Sequence, residues 1–160
     1  MRATLAWLIL SATVAAADPI PAPQGKVVPK GARLEHLFTR MAEIVGGLTE
    51  GPAAAPDGSI YFSDIPFGED RGMILRFDPA TKQTTLFRDD SGKSNGLFFD
   101  AAGKLLAAEG AGYGGRRISR WDVKTGKRET VVDNFGGKRF NSPNDICLDA
   151  EGRIYFGDRR

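Results

Sequence analysis

Three residues with side-chain oxygen recur at one phase of this chain. Glu50, Asn95 and Asn144 each stand eight positions before a turn glycine, Gly58, Gly103 and Gly152 respectively. One carboxylate and two amides offer oxygen donors alone, a set that suits a hard divalent cation such as Ca²⁺ or Mg²⁺ with water completing the shell. The sequence has a single cysteine, Cys147, and a single histidine, His36, so a structural zinc site has no cluster of ligands to build on. Ser-His-Asp or Cys-His chemistry would have to use that histidine, which precedes the repeats, and nucleophilic triads are set aside on this ground. Cys147 lies in the apolar run Ile146-Cys147-Leu148 and is expected to be a buried, inert thiol.

The elements that position these oxygens repeat with them. Thr49-Glu50-Gly51 runs on to Pro56-Asp57-Gly58-Ser59-Ile60-Tyr61-Phe62-Ser63-Asp64, Ser94-Asn95-Gly96 to Gly103-Lys104-Leu105-Leu106-Ala107-Ala108-Glu109, and Pro143-Asn144-Asp145 to Gly152-Arg153-Ile154-Tyr155-Phe156-Gly157-Asp158. The turn glycines are 45 and then 49 residues apart, and a period of roughly 40–50 residues with short strands and a glycine turn marks a β-propeller. Equivalent positions of successive blades converge on the channel, so the oxygen set would face the axis. Strands are expected over 60–62, 73–77 and 84–87, and again over 105–108, 117–121 and 129–132, joined by Asp78-Pro79-Ala80-Thr81 and Asp122-Val123-Lys124-Thr125-Gly126. From residue 48 onward no window keeps a helical period. A blade has about four strands and a propeller about four to eight blades. The third repeat stops after its first strands, so the chain is read as an all-β fragment, about the first two and a half to three blades of a longer protein.

Two further motifs have modest readings. Asp64, Glu109 and Asp158 stand six positions after the turn glycines, where acids serve as turn residues accepting backbone hydrogen bonds or contribute to the channel rim. Gly110-Ala111-Gly112-Tyr113-Gly114-Gly115 fits the dinucleotide pattern, but Arg116-Arg117-Ile118-Ser119-Arg120-Trp121 follows and alternates like a strand. It is read as a hairpin loop, because pyrophosphate binding needs a helix N-terminus there.

Ahead of the repeats, Arg2, the apolar stretch from Leu5 to Val14 and Ala15-Ala16-Ala17 before Asp18 describe a signal peptide over 1–17, too short to span a bilayer. Residues 18–43 are a Pro-rich tether, with Pro19, Pro21, Pro23 and Pro29, and a lead-in strand or short helix from about 34 to 44. The propeller portion is 44–160. With 22 basic against 20 acidic residues, scattered along the chain, nothing calls for nucleic acid or an acidic membrane as partner.

The motifs Glu50-Gly51-Pro52 with Ile60-Tyr61-Phe62-Ser63-Asp64, Ser94-Asn95-Gly96-Leu97, and Lys138-Arg139-Phe140-Asn141-Ser142-Pro143-Asn144-Asp145 with Asp149-Ala150-Glu151-Gly152 together resemble the gluconolactonase/regucalcin (senescence marker protein) family. The resemblance implies a six-bladed propeller that holds one divalent cation in its channel, Ca²⁺ first with Mg²⁺ or Zn²⁺ as alternatives, and hydrolyses sugar lactones. It implies Glu50 and Asn144 as metal ligands and Asn95, Arg139 and Glu109 as substrate contacts. The family's later Asn ligand and its Asp ligand, which doubles as general base, would follow Arg160, so this chain alone is expected to be inactive and prone to assemble through uncovered strand edges. Close relatives often read Glu-His-Gly where this chain has Glu109-Gly110, and the ending Gly157-Asp158-Arg159-Arg160 lacks their proline-containing continuation. An exported propeller that binds a small ligand or protein without turnover is the alternative, and a metal-free synthase-like propeller would not need Glu50.

If the leader is a signal peptide, exported protein should begin at Asp18. Intact-mass measurement of that protein checks this, and a chain still beginning at Met1 would overturn the assignment to the periplasm or outside.

Overall fold

The computed structural model describes residues 29, 31–39 and 46–159, and the expected signal peptide over 1–17 and most of the expected Pro-rich tether lie outside them. The chain divides into two units, Met1–Thr39 and Arg40–Arg160. In the first, the Ala32 amide donates to the Pro29 carbonyl and Thr39 Oγ1 lies 3.3 Å from His36 Nε2. Residues 34–39 form neither the strand nor the helix expected there, and the rest of that expectation, 40–44, falls outside the described residues.

All regular secondary structure among the described residues of the second unit is β-strand. β1 (Leu48–Ala54), β2 (Ile60–Ile65), β3 (Met73–Asp78) and β4 (Gln83–Arg88) form one antiparallel meander, and β5 (Ser94–Phe99), β6 (Leu105–Glu109), β7 (Arg117–Trp121) and β8 (Arg128–Val132) form a second. The small hairpin of β9 (Asn134–Phe135) and β10 (Lys138–Arg139) follows, then the pair β11 (Pro143–Leu148) and β12 (Ile154–Asp158). Two whole propeller blades and the inner hairpin of a third are thus present, with the inner strands β1, β5 and β11 side by side.

One turn chemistry closes all three inner hairpins. Gly58, Gly103 and Gly152 have φ of 84°, 71° and 77°, a left-handed conformation that glycine adopts without steric cost. Each glycine amide donates to the carbonyl three residues back: Ala55, Asp100 or Asp149. In the second and third hairpins an aspartate carboxylate ties the turn further. Asp100 Oδ1 accepts from the Ala102 and Lys104 amides at 3.0 and 2.9 Å, and Asp149 Oδ1 from Glu151 and Arg153 at 3.1 and 2.9 Å.

Packing runs between blades. Ala53 and Tyr61 of the first sheet meet Leu97, Leu105, Ala107 and Trp121 of the second, while Leu106, Ala108 and Ile118 on its other face meet Ile146 of the third hairpin. Because side chains alternate along a strand, β6 feeds both interfaces and is buried at every residue. Full burial of Leu105 and Leu106 contributes about 1.5–3 kcal/mol each. Edge-to-face pairs cross the first interface, Tyr61–Phe99 at 5.4 Å and Phe87–Trp121 at 6.2 Å, each adding about 0.5–1.5 kcal/mol. The same alternation corrects the reading of Cys147. Ile146 takes the inward place, so Cys147 is exposed, paired across the hairpin with half-exposed Tyr155.

Asp122 closes the β7–β8 turn. The Lys104 ammonium, followed by the Thr125 and Lys124 amides, lowers its pKa to about 2. A carboxyl whose pKa is depressed by folding stabilises the protein above its ordinary pKa and loses that contribution as pH falls through the folded value. Acid unfolding followed by circular dichroism should therefore show a stability loss between about pH 4 and pH 2 that is reduced in Asp122→Asn. Identical acid profiles for the two proteins would contradict it.

Candidate functional site

Each inner strand breaks register at nearly the same place, β5 and β11 at one position and β1 one residue later. The shifts fall between Glu50 and Ala53 in β1, Ser94 and Leu97 in β5, and Pro143 and Ile146 in β11. These bulges put Glu50 at the rim of the first irregularity and Asn95 and Asn144 inside the second and third. A bulge bends its strand and re-aims a side chain. Glu50 is exposed, and Asn95 and Asn144 are half-buried.

Glycines bring the bulges together. Gly51, at φ 53°, lies against the second blade so closely that a Cβ there would meet the Asn95 carbonyl oxygen at 2.2 Å and Gly96 Cα at 2.7 Å. A Cβ on Gly96 would meet the Asn144 carbonyl oxygen at 2.7 Å and Asp145 Cα at 3.0 Å. Backbone therefore touches backbone from Glu50-Gly51 to Asn95-Gly96 to Asn144-Asp145. Directly beside this contact, Ser63, the cross-strand partner of Glu50, shares a buried hydrogen bond of 2.8 Å with Ser94, the residue before Asn95. Neither serine stood out in the sequence; their signal is position, each beside an oxygen-bearing member of the set.

The other two residues implied as substrate contacts lie elsewhere. Glu109 ends β6 and is fully buried, its Oε2 held by Arg117 Nε at 2.8 Å and its Oε1 3.6 Å from Arg128 Nη1. Arg117 is its cross-strand neighbour, and Arg128 also reaches Asp90 and stacks on Trp121 at 4.9 Å. Gly92 and Gly115 leave the room, since a Cβ on either would fall within 2.2 Å of Oε2. Arg139 is exposed in β10, where Nη2 donates to the Gly115 carbonyl at 2.8 Å. Both residues thus converge on the β6–β7 loop around Gly115 rather than on the bulges.

Asp64 and Asp158, at the phase of Glu109, accept backbone hydrogen bonds as turn acids do. Gly47 donates to Asp64 Oδ1 at 3.2 Å, and Asn141 and Ser142 donate to Asp158 at 3.0 and 2.7 Å. The aspartates tie down the loop entering their own blade. Glutamate, one methylene longer, reaches across to arginines. The glycine-rich stretch 110–115 is the β6–β7 hairpin loop, with Gly110 donating to the Lys93 carbonyl and Gly115 to the Gly92 carbonyl. Loops around it are joined by Tyr113–Glu69 at 2.9 Å, Arg116 Nε to the Phe140 carbonyl at 2.6 Å, and the Ala111 amide to Ser142 Oγ at 3.1 Å.

Comparison with known proteins agrees with this architecture. The family model described as the SMP-30/Gluconolactonase/LRE-like region matches residues 48–160. The chain is similar to a gluconolactonase of Zymomonas mobilis, 35% identical over 150 residues covering 84% of this chain and 41% of that protein. It is also similar to the lactonohydrolase oryL of Aspergillus oryzae, 30% identical over 118 residues covering 68% of this chain and 27% of that one. The solved structure of a gluconolactonase from Xanthomonas campestris superposes with a TM-score of 0.62 at 30% identity, over 71% of this chain and 36% of that one. The chain spans about two fifths of the length of the Zymomonas relative, or 41%. Three blade repeats, their in-phase bulges and the match over residues 48–160 show that the chain belongs to the SMP-30/gluconolactonase/LRE-like family.

Proposed function

We propose that this chain forms the first blades of an exported, divalent-metal-dependent hydrolase of sugar lactones. One observation carries the reading: Asn95 and Asn144 lie inside the bulges of β5 and β11, Glu50 is the last paired residue before the bulge of β1, and the backbones of the three inner strands are in contact. The donor chemistry fits a hard cation, best Ca²⁺, because every candidate ligand is oxygen and one carries charge. Glu50 and Asn144 would hold it. When bound, such a cation polarises a lactone carbonyl and makes a coordinated water more acidic.

The chain's own residues then have distinct tasks. Glu50 supplies the negative charge that anchors the ion, and its exposure leaves the carboxylate free to do so. Asn95, between the two proposed ligands, presents an amide that can donate to or accept from lactone hydroxyls. Arg139, tethered to the Gly115 carbonyl, keeps further N–H groups for a substrate oxygen. Glu109 acts indirectly, as the buried counter-charge that fixes the β6–β7 loop. Export follows from the composition of residues 1–17.

In the complete protein, Glu50→Ala should weaken Ca²⁺ binding roughly tenfold or more, since a ligand carboxylate is lost, and should abolish lactone hydrolysis. Its unfolding free energy should move by less than about 0.5 kcal/mol, as expected for an exposed position. Calorimetric titration with Ca²⁺ reads the first effect, and unchanged affinity removes Glu50 from the ligand set.

Glu109→Gln separates support from substrate contact. It takes the counter-charge from Arg117 and Arg128, whose side chains are 23% and 24% exposed, and should lower stability by roughly 2–3 kcal/mol with KM for the lactone nearly unchanged. A raised KM with unaltered denaturant unfolding would instead make Glu109 a substrate contact.

A further inference from the structure

A groove of about 770 Å³ lies at the end of β1 away from its bulge, between the outer strand of the first blade and the turns of the second. That size accommodates a small organic ligand. Its floor is Tyr61, 4% exposed, with half-buried Phe87 and Val123 beside it. Its charged lining is Arg76, Arg88 and Lys124 against the single acid Asp57. Asp57 is already matched by Arg76 at 3.3 Å and by the Ser59 amide at 3.0 Å. Hydrogen bonds from Ser59, with help from Arg76, lower its pKa and keep it ionised.

Arg88 is held in place by groups that carry no charge. Its guanidinium lies over the Phe87 ring at 4.6 Å, donates to the Phe87 carbonyl at 2.7 Å, and reaches the Gly126 and Thr125 carbonyls at 3.4 Å. Gly126 is required for this, because a Cβ there would sit 0.9 Å from Arg88 Nη2. Among the described residues neither Arg88 nor Lys124 has a carboxylate at ion-pair distance. Two cations without a counter-ion thus border an aromatic floor, one of them oriented with N–H donors to spare.

We propose that this groove binds a small carboxylate with a flat apolar body, the carboxylate between Arg88 and Lys124 and the body against Tyr61, Phe87 and Val123. The site would act at the opposite end of the inner strand from Glu50 and would not compete for the proposed lactone site.

The test is calorimetric titration of the full chain with 2-naphthoate at low ionic strength, with 2-naphthylmethanol as the uncharged control. Naphthoate should bind once per chain, bind more tightly than the alcohol, and weaken as salt is added. Lys124→Ala should weaken it roughly threefold and Lys124→Glu roughly tenfold, the scale of exposed charge pairs, while thermal unfolding of these exposed-site variants stays that of the parent. Absence of saturable naphthoate binding, equal affinity for acid and alcohol, or unchanged affinity in Lys124→Glu would each overturn the proposal.

Discussion

Face-to-face stacking of sheets is the constraint on which the rest of this structure depends. A sheet with apolar side chains on both faces must be covered twice, and β6 shows the requirement most plainly. Leu105 and Ala107 point toward the first blade, Leu106 and Ala108 toward the third hairpin, and all four are fully buried. Neither face is covered by its own blade alone. The blades therefore hold each other in line, and their inner strands become neighbours because the sheets behind them are stacked.

That neighbourhood makes severe demands where the inner strands meet. Gly51 and Gly96 sit where a side-chain atom would overlap the backbone of the next blade, so glycine serves close approach at both and local conformation at Gly51. The bulges act with the glycines. They interrupt the ladder within a residue of one level in three strands, and each strand carries a side-chain oxygen in or beside the break. On the proposed reading, a metal or polar substrate would meet three separate strands whose spacing is set by backbone contact, a stiffer arrangement than a loop would provide.

Equivalent positions need not do equivalent work. Asp64, Glu109 and Asp158 share a phase, yet the two aspartates bind loop amides while the glutamate anchors arginines. One methylene and the space left by Gly92 and Gly115 account for the difference. The second blade consequently carries an ion cluster that reaches Trp121 through Arg128. Opposite the bulges, the neighbouring blade faces separate enough to leave a groove, where Arg88 crosses between blades to meet the Thr125-Gly126 turn. The two ends of the blade stack thus differ, with side-chain oxygens at one and, at the other, Arg88 and Lys124 without a carboxylate at ion-pair distance among the described residues.

Much of this was legible in the chain alone because propeller blades are local. Each sheet is a meander of neighbours in sequence, so turn glycines, alternating strands and the period placed β2, β3, β4, β6, β7 and β8 to within a few residues, while the bulges at or beside Glu50, Asn95 and Asn144 carry no such signal. The hairpin nature of 110–115 followed from the strand pattern after it. What alternation within one strand could not supply was which face meets another blade. Cys147 lies in an apolar run yet is exposed, because Ile146 has the inward place. Glu109 reads from the sequence as a turn or rim acid, and by resemblance as a substrate contact, yet it is fully buried, because Arg117 and Arg128 from the next two strands of its own blade meet it in a space that glycines leave open. Sequence determined the blades and the recurring oxygens, since both depend on short-range pattern. Tertiary structure alone decided which side chains each blade covers, since that depends on the face of a sheet from another part of the chain.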